Sequence, residues 1–224
     1  MPAEQSASLP NPRRFTGYLA DTRESRRIHY RIRYKVYCER KGFEDNALLR
    51  KRGLERDAFD GHALPFIFRD EQDGQWRGTA RLIIRGSERL PLEITGALPA
   101  DFCEGYPPGT IGEVSRLAAL GPVSPQGQNR WTLLTTTLGT VLACAGQFGM
   151  TDLLFMITPG LARVVRTLGI PMTPVGAPVH HKGRRQGYVS PVADALASVR
   201  AIGARDAFGL YSELGGQEPV GMLA

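Results

Sequence analysis

The chain has only three cysteines in 224 residues, Cys38, Cys103 and Cys144, odd in number and far apart. They form no CxxC pair and no Cys/His ligand spacing, which argues against a disulfide framework or a zinc site and fits a reducing cytoplasm. They read as small apolar fillers. No GxGxxG or Walker sequence is present, so no Gly-rich phosphate cradle is expected. No RNP, KH or zinc-finger signature accompanies the basic residues, which leaves nucleic acid out as a partner. There is no N-terminal apolar h-region: MPAEQSASLPNPRRF is polar and Pro-bearing and reads as a loose tail. A charge-free run from Trp131 to Thr151 is long enough to span a bilayer. Its Thr132, Thr135, Thr136, Thr137 and Thr140, with Gly139, Gly146, Gly149 and Gln147, favour a buried core helix instead.

What is present is an ordinary globular composition, 42% hydrophobic and 22% charged, enough for a proper core. The charge is lopsided. The net value is +6, yet residues 13–52 hold 13 basic and 5 acidic residues, a local +8, and the remainder is slightly acidic. A basic N-terminal face suits an acidic protein or an anionic membrane surface; a solvated helix face accounts for it equally well.

Residues 24–41 fit two periods. Ile28, Ile32 and Val36 follow helical spacing, while Ile28, Tyr30, Ile32, Tyr34 and Val36 alternate as in a strand; length and the lack of a turn signal favour helix. LPFIFRD (64–70) and WRGTARLIIRG (76–86) read as a hairpin around Asp73-Gly74. A strand over 110–120, a helix over 130–148, a strand over 151–158 and a helix over 159–169 follow. Late strands over 171–179 and 184–192 and a last helix over 191–205 complete the pattern. The expected fold class is α/β, a mixed curved central sheet flanked by helices. The expected division is a flexible N-terminal tail (1–23), one domain (24–206) and a C-terminal tail (207–224).

Three polar constellations stand out. Glu55-x-Asp57-x-x-Asp60 gathers three carboxylates around Phe59; Arg81 interrupts an apolar strand; and Glu113-Val-Ser115-Arg116 lies in a third. Regular alternation puts Glu113 and Arg116 on opposite faces unless a bulge re-aims one of them. Buried charges need partners, so the acids and the arginines are natural mates. A salt-bridge network pinning loop 53–62 to the sheet is one reading of this set. His180, His181, Lys182, Arg184 and Arg185 read as an exposed loop before a strand, and no metal site is expected.

These residues also carry a resemblance. Arg33-x-x-Val36-Tyr37, Glu55-x-Asp57-x-x-Asp60, Gly78-x-x-Arg81-Leu82 and Glu113-x-Ser115-Arg116-Leu117 are similar, in order and separation, to the motifs of the acyl-homoserine lactone synthase superfamily within the GNAT-type N-acyltransferase fold. The segment GAPVHHKGRRQGYVSPV (176–192) more closely resembles acyltransferases associated with PEP-CTERM/exosortase systems and the related long-chain N-acyl amino acid synthases. The resemblance covers about residues 27–192. It implies transfer of a fatty acyl group from an acyl carrier protein thioester to the amine of a small amino-acid-like acceptor, with no cofactor beyond the phosphopantetheine-borne substrate. Lactone synthases carry a Trp after the first-helix motif; here Phe43 is the only candidate, which counts against a lactone product. The loop 121–131 lacks the Q/R-x-x-G-x-G/A pyrophosphate cradle of acetyl-CoA-using relatives.

On that reading Glu113 is the first choice for the base that takes the ammonium proton, and Glu55 the second. Asp57, Asp60, Arg81, Ser115 and Arg116 would shape the acceptor pocket, with Arg33 and Tyr37 closing it from the first helix. A free arginine would grip the acceptor's carboxylate. Backbone amides after Leu117 and the helix start near Arg130 would meet the thioester carbonyl and the phosphate. The helix over 131–148 would line an acyl tunnel. Arg26, Arg27 and Arg31 would dock the acidic carrier, and the lipid product would bring the protein to the membrane periphery. The alternatives are a lactone-forming signal synthase and a non-catalytic module that docks an acidic protein or membrane.

Overall fold

The computed structural model describes residues 13–44, 46–121 and 128–214. An eight-stranded sheet runs in the order β6-β7-β5-β4-β3-β2-β1-β8. Its strands are β1 (Phe15–Leu19), β2 (Ala63–Asp70), β3 (Trp76–Ile84), β4 (Ile111–Ala119), β5 (Asp152–Ile157), β6 (Thr173–His180), β7 (Arg184–Pro191) and β8 (Gly209–Leu210). The β4–β5 and β1–β8 pairs are parallel and the rest antiparallel. Among the described residues six α-helices accompany it: α1 (Arg23–Arg33), α2 (Ala47–Arg52), α3 (Pro91–Ile94), α4 (Gln128–Gln147), α5 (Pro159–Thr167) and α6 (Val192–Ala201).

The expected hairpin forms as read, with Gly74 supplying the positive φ of 70° that closes its turn. Alternation along β2 and β3 sorts the core. Phe66, Phe68, Ala80 and Leu82 face α4, whose Leu138, Val141 and Leu142 complete that layer. Ile67 faces the other side, where Ile28 and Ile32 of α1 cover it. Ile83, Ile111 and Leu154 on that side are covered by Leu92 of α3. Gly78 belongs to the α4 layer because a Cβ there would lie 3.1 Å from Leu133. The charge-free run from Trp131 is thus most of α4, a core helix. Among the described residues no helix is long and apolar enough to cross a membrane.

Three differences from the sequence reading matter. Residues 15–19, assigned to a flexible tail, form β1, where Phe15 is buried and the strand pairs with β2. Residues 209–210, assigned to the C-terminal tail, pair with β1, and Phe208 packs edge-on against Phe66. Residues 1–12 and 215–224 lie outside the described residues, as does most of the 121–131 loop. The helix expected over 24–41 is α-helical only to Arg33, and Tyr34–Arg40 continue it as a π-helix. Its wider turn is visible in the Lys41 N–H, which donates to the Val36 carbonyl five residues back.

Candidate active site

The D-x-x-D spacing has a local cause. Asp57 caps the 3₁₀ turn Ala58–His62, accepting from the Phe59 N–H at 3.0 Å, while Asp60 reaches back to accept from the Asp57 N–H at 2.8 Å. This reciprocal cap spends only one oxygen of each acid on the turn. The other oxygens face a layer of guanidinium groups on the α1 side of the sheet.

Arg33, at the C-terminus of α1, donates from Nε to Glu55 and from Nη1 to Asp60 at 2.6 Å. Arg81 donates to Asp57 at 2.5 Å, to Asp60 at 2.9 Å and, through Nε, to Ser115 Oγ at 3.1 Å. Arg116 closes the set on Glu55 at 3.2 Å and on Asp57 at 2.8 Å. Three cations meet three anions, so the layer is neutral although Arg33 and Arg81 are both 0% exposed. Burial alone would lower the Arg33 pKa; Glu55 and Asp60 more than offset it and raise the value. Burial opposes ionisation of Asp60, and Arg33 and Arg81 nonetheless hold its pKa down at about 2.

Arg116 joins this face through a β-bulge. Opposite β3 the register slips between Thr79 and Arg81, so that Thr79 pairs with Ala118 but Arg81 with Ser115. Arg116 sits in the extra residue at φ 52°, a left-handed conformation that costs a non-glycine residue about 1–2 kcal/mol. The strain puts Ser115 and Arg116 on one face, together with Glu113 and Arg81.

The same bulge opens the sheet. β4 and β5 pair only from Ile111↔Asp152 to Val114↔Phe155, and beyond Val114 no β4–β5 pair forms. A cleft of about 440 Å³ lies there, lined by Leu117, Ala118 and Ala119 of β4, Trp131, Leu134 and Thr137 of α4, and Leu161 and Val164 of α5. Trp131, 42% exposed, stands on its lining. A basic rim adjoins it, where Arg13, Arg40, Arg77 and Arg130 surround Asp70 beside Ala119 and Leu133.

Glu113 is 1% exposed and accepts from the Leu92 N–H of α3 at 2.8 Å. Burial pushes its pKa up to about 8, against the Leu92 hydrogen bond and the more distant pull of Arg81 and Arg116. It makes no ion pair among the described residues. Glu55 differs: both of its oxygens accept from guanidinium groups. The two candidate bases therefore sit in opposite environments, one unpaired and one saturated.

Tyr37, in the π-helical segment, donates its hydroxyl to the Leu117 carbonyl at 2.7 Å, lies under Arg116, and stacks on Phe43 with ring centroids 6.3 Å apart. Phe43 thus occupies the aromatic position beside the first-helix motif. Arg26 and Arg27 lie exposed on α1, lining a shallow depression with Arg23, Tyr30 and Arg56; Arg31, half-buried on the same helix, does not line it. Burial pushes the Cys144 thiol up to about 12 and Cys103 up to about 11, and raises the part-buried Cys38 as well, which disfavours a thiolate nucleophile. No group of three or more potential ligands that could hold a metal ion occurs among the described residues.

Sequence reasoning missed His29. It is fully buried one helical turn before Arg33, its Nε2 3.1 Å from Arg33 Nη1 and its Nδ1 beside Thr79 Oγ1 and the Phe66 carbonyl. Burial and then Arg33 push its pKa well down, so the neutral ring accepts from Arg33 and donates through Nδ1. The signal was present in the i, i+4 spacing of His29 and Arg33. The expected exposed loop at 180–185 is in fact a tight β6–β7 turn. Its Lys182, at φ 53°, pairs with Glu44, which also lies 3.7 Å from Arg116.

Residues 32–119, which include every motif residue from Arg33 to Leu117, match the profile of the acetyltransferase (GNAT) domain. The fold is that of the GNAT N-acyltransferases. Among solved structures it is similar to TofI, in a ternary complex with an inhibitor and MTA (TM-score 0.64, 21% identity, 84% of this chain and 96% of that one). It is likewise similar to BjaI, a CoA-dependent acyl-homoserine lactone synthase with SAM and isopentyl-CoA (0.65, 18%, 86% and 90%). FeeM, an N-acyl amino acid synthase from uncultured soil microbes, is a third relative (0.59, 19%, 83% and 94%). No curated protein matches the chain by sequence.

Proposed function

We propose that the protein is an N-acyltransferase that moves a fatty acyl chain from a phosphopantetheine thioester to the amine of an amino-acid-like acceptor. The observation that carries the reading is β4 itself. Past its bulge it lines an apolar cleft, and on its other face it carries a buried, unpaired acid of raised pKa beside the carboxylate–guanidinium wall. An apolar chain fits the cleft between α4 and α5; its volume lies within the roughly 300–1,000 Å³ of ligand pockets. The β4 edge freed from β5 supplies backbone groups for the pantetheine amides and the developing oxyanion.

The acceptor arrives as an ammonium ion and leaves as an amide. One proton passes to the Glu113 carboxylate through an intervening water, since the side chain is buried. The free amine attacks the thioester carbonyl, the C–N bond forms, the C–S bond breaks, and the second proton ends on the departing thiol. An acid that titrates near 8 is matched to this transfer. We assign Glu55 to bracing the wall, because its oxygens are already occupied. Arg33, Asp57, Asp60, Arg81, Ser115 and Arg116 position the site, and Tyr37 ties the first helix to β4.

The donor's charged portion would meet Arg40, Arg77 and Arg130 at the rim. An acidic carrier would reach further, to Arg26, Arg27 and Arg31, and we assign the reaction to the cytoplasm, where such a carrier would be met. Replacing Arg26 and Arg27 with Glu should raise KM for an acyl carrier donor about tenfold, with a steeper loss at low salt. Acyl-CoA turnover should not change. Equal effects on both donors would remove these residues from docking. The cleft makes its own prediction. Leu134→Trp should cut kcat/KM for long-chain donors roughly tenfold, about 1.4 kcal/mol, and leave a short-chain donor nearly unaffected.

The defining experiment incubates the protein with long-chain acyl carrier protein or acyl-CoA and pooled amino acids, then reads products by mass spectrometry. Acylated amino acids are expected. A homoserine lactone formed from S-adenosylmethionine would assign the signal-synthase reading instead. No acylated product from any acceptor leaves a binding module.

A further inference from the structure

We infer that Arg185 is the specificity-determining residue for the acceptor, gripping the carboxylate of an α-amino acid whose amine is turned toward Glu113. The inference rests on the N-acyltransferase reading and deepens it. An acceptor carboxylate needs a cation that is not already spent. Arg33, Arg81 and Arg116 are all ion-paired to Glu55, Asp57 and Asp60. Among the described residues Arg33 and Arg81 each keep Nη2 without a hydrogen-bond partner, but their charge is already balanced in the wall. Lys182 pairs with Glu44. Arg185 donates its Nε to the His181 carbonyl at 2.9 Å, and among the described residues no salt bridge includes it.

Strand register places it. β7 pairs with β5 through Ile157↔Gln186, so Arg185 is the first β7 residue past the end of that pairing. Thr158, the β5-side position opposite Arg185 in the β5–β7 register, lies three residues past Phe155, the last β5 residue paired with β4, and so beside the gap left by the bulged strand. Arg185 therefore flanks the open end of the cleft on the side away from β4. Alternation puts it on the face of Gly187 and Val189, which pair with Met156 and Leu154 on the side covered by α3. That is the face of Glu113, Ser115 and Arg116. Its hydrogen bond to His181 holds Arg185 at the β6–β7 turn, within electrostatic reach of Tyr37 and Lys182.

A half-buried guanidinium held by a single backbone contact keeps its Nη edge for a bidentate partner. A carboxylate there sets the neighbouring α-amine between the cleft and the β4 acid. The rule that follows excludes simple alkylamines and amino-acid amides, since both leave Arg185 unpaired.

The test compares one amino acid, its carboxamide and its decarboxylated amine as acceptors, each with long-chain acyl-CoA and with the acyl carrier thioester. The wild-type protein should prefer the free acid by about 100-fold in kcat/KM. Arg185→Gln should raise KM for the acid about 100-fold with kcat little changed, and leave both analogues as they were, abolishing the discrimination. Arg185→Lys should recover part of the loss, and matching thermal melts exclude a folding defect. If Arg185→Gln slows all three acceptors alike, or keeps the wild-type preference, Arg185 is not the carboxylate anchor, while the acyltransferase reading stands. If the wild-type protein acylates no amine from either donor, that reading fails and the assignment of Arg185 fails with it.

Discussion

Glu113→Gln should cut turnover about 10²–10⁴-fold and at the same time stabilise the protein, the gain appearing only at neutral to alkaline pH. Burial raises the carboxyl's pKa to about 8 in the folded chain, against 4.5 for the same group in the unfolded chain. Its folded pKa is raised, so the unfolded state sheds a proton that the native state keeps. Stability is therefore complete at or below pH 4.5 and declines as pH rises towards 8. At about 1.4 kcal/mol per pKa unit the full penalty is on the order of 5 kcal/mol, of which about 4 is reached at pH 8. Gln removes the titration and can still accept from the Leu92 N–H, although its new amide donors lack partners, at about 1–2 kcal/mol. The net expectation is a gain of about 2 kcal/mol at pH 8, which for a chain of this size is about 4–8 °C in melting temperature. At pH 5 the variant should be level with the wild type or slightly below it. Equal shifts at both pH values would show that Glu113 does not hold its proton. Activity reads the same group. Wild-type kcat/KM should rise with pH through an apparent pKa near 8 for acceptors of differing amine pKa, and the variant should lose about 10²–10⁴-fold. A residue that destabilises the fold when ionised and is needed for turnover when ionised belongs to the chemistry rather than to the core.

Much of this arrangement was legible before any coordinates. The ion-pair partners of Glu55, Asp57 and Asp60 could be named because buried charges must be matched and the chain offers three motif arginines. The hairpin, α4 and α5 carried their own signals in Asp73-Gly74, the Leu134–Leu138–Val141 period and Pro159. What the sequence concealed was mostly non-local. The bulge at Arg116 is set by the β3 register and carries no glycine to announce it, so Glu113 and Arg116 seemed destined for opposite faces. β1 is short and sits behind a polar leader; only Phe15, Gly17 and Leu19 mark its buried side. His29 looked like one more polar residue in a basic helix, because its role depends on Thr79 and Phe66, far along the chain. Arg185 was hidden among four other basic or histidine residues in one turn. Only the commitment of the other arginines singles it out.

Asp60→Asn should be among the most destabilising single-atom-scale changes the molecule can suffer. One Asp60 oxygen accepts from both Arg33 and Arg81, and the other holds the Asp57 N–H. The substitution leaves a net positive charge on two guanidinium groups already removed from water. Breaking a buried pair from one side costs about 3–5 kcal/mol, because the surviving partner cannot be solvated. Arg116→Ala, at the half-exposed end of the same layer, should cost far less, about 1–2 kcal/mol, since water can reach what it leaves behind. Removing both members, Arg33→Met with Asp60→Asn, should cost less than the two single changes added together, with a coupling of about 0.5–3 kcal/mol. Strict additivity in denaturant titrations would show that the layer is not a single network. The pH dependence has the opposite sign to that of Glu113. Arg33 and Arg81 depress the Asp60 pKa to about 2 against burial, so its contribution is present above 3.8 and fades as pH falls towards 2. The wild-type protein should therefore lose stability at both ends, through Asp60 in acid and through Glu113 above neutrality. Asp60→Asn should flatten only the acid limb. A variant that flattened both would mean the two acids titrate as one unit, and that the wall and the base are a single electrostatic device.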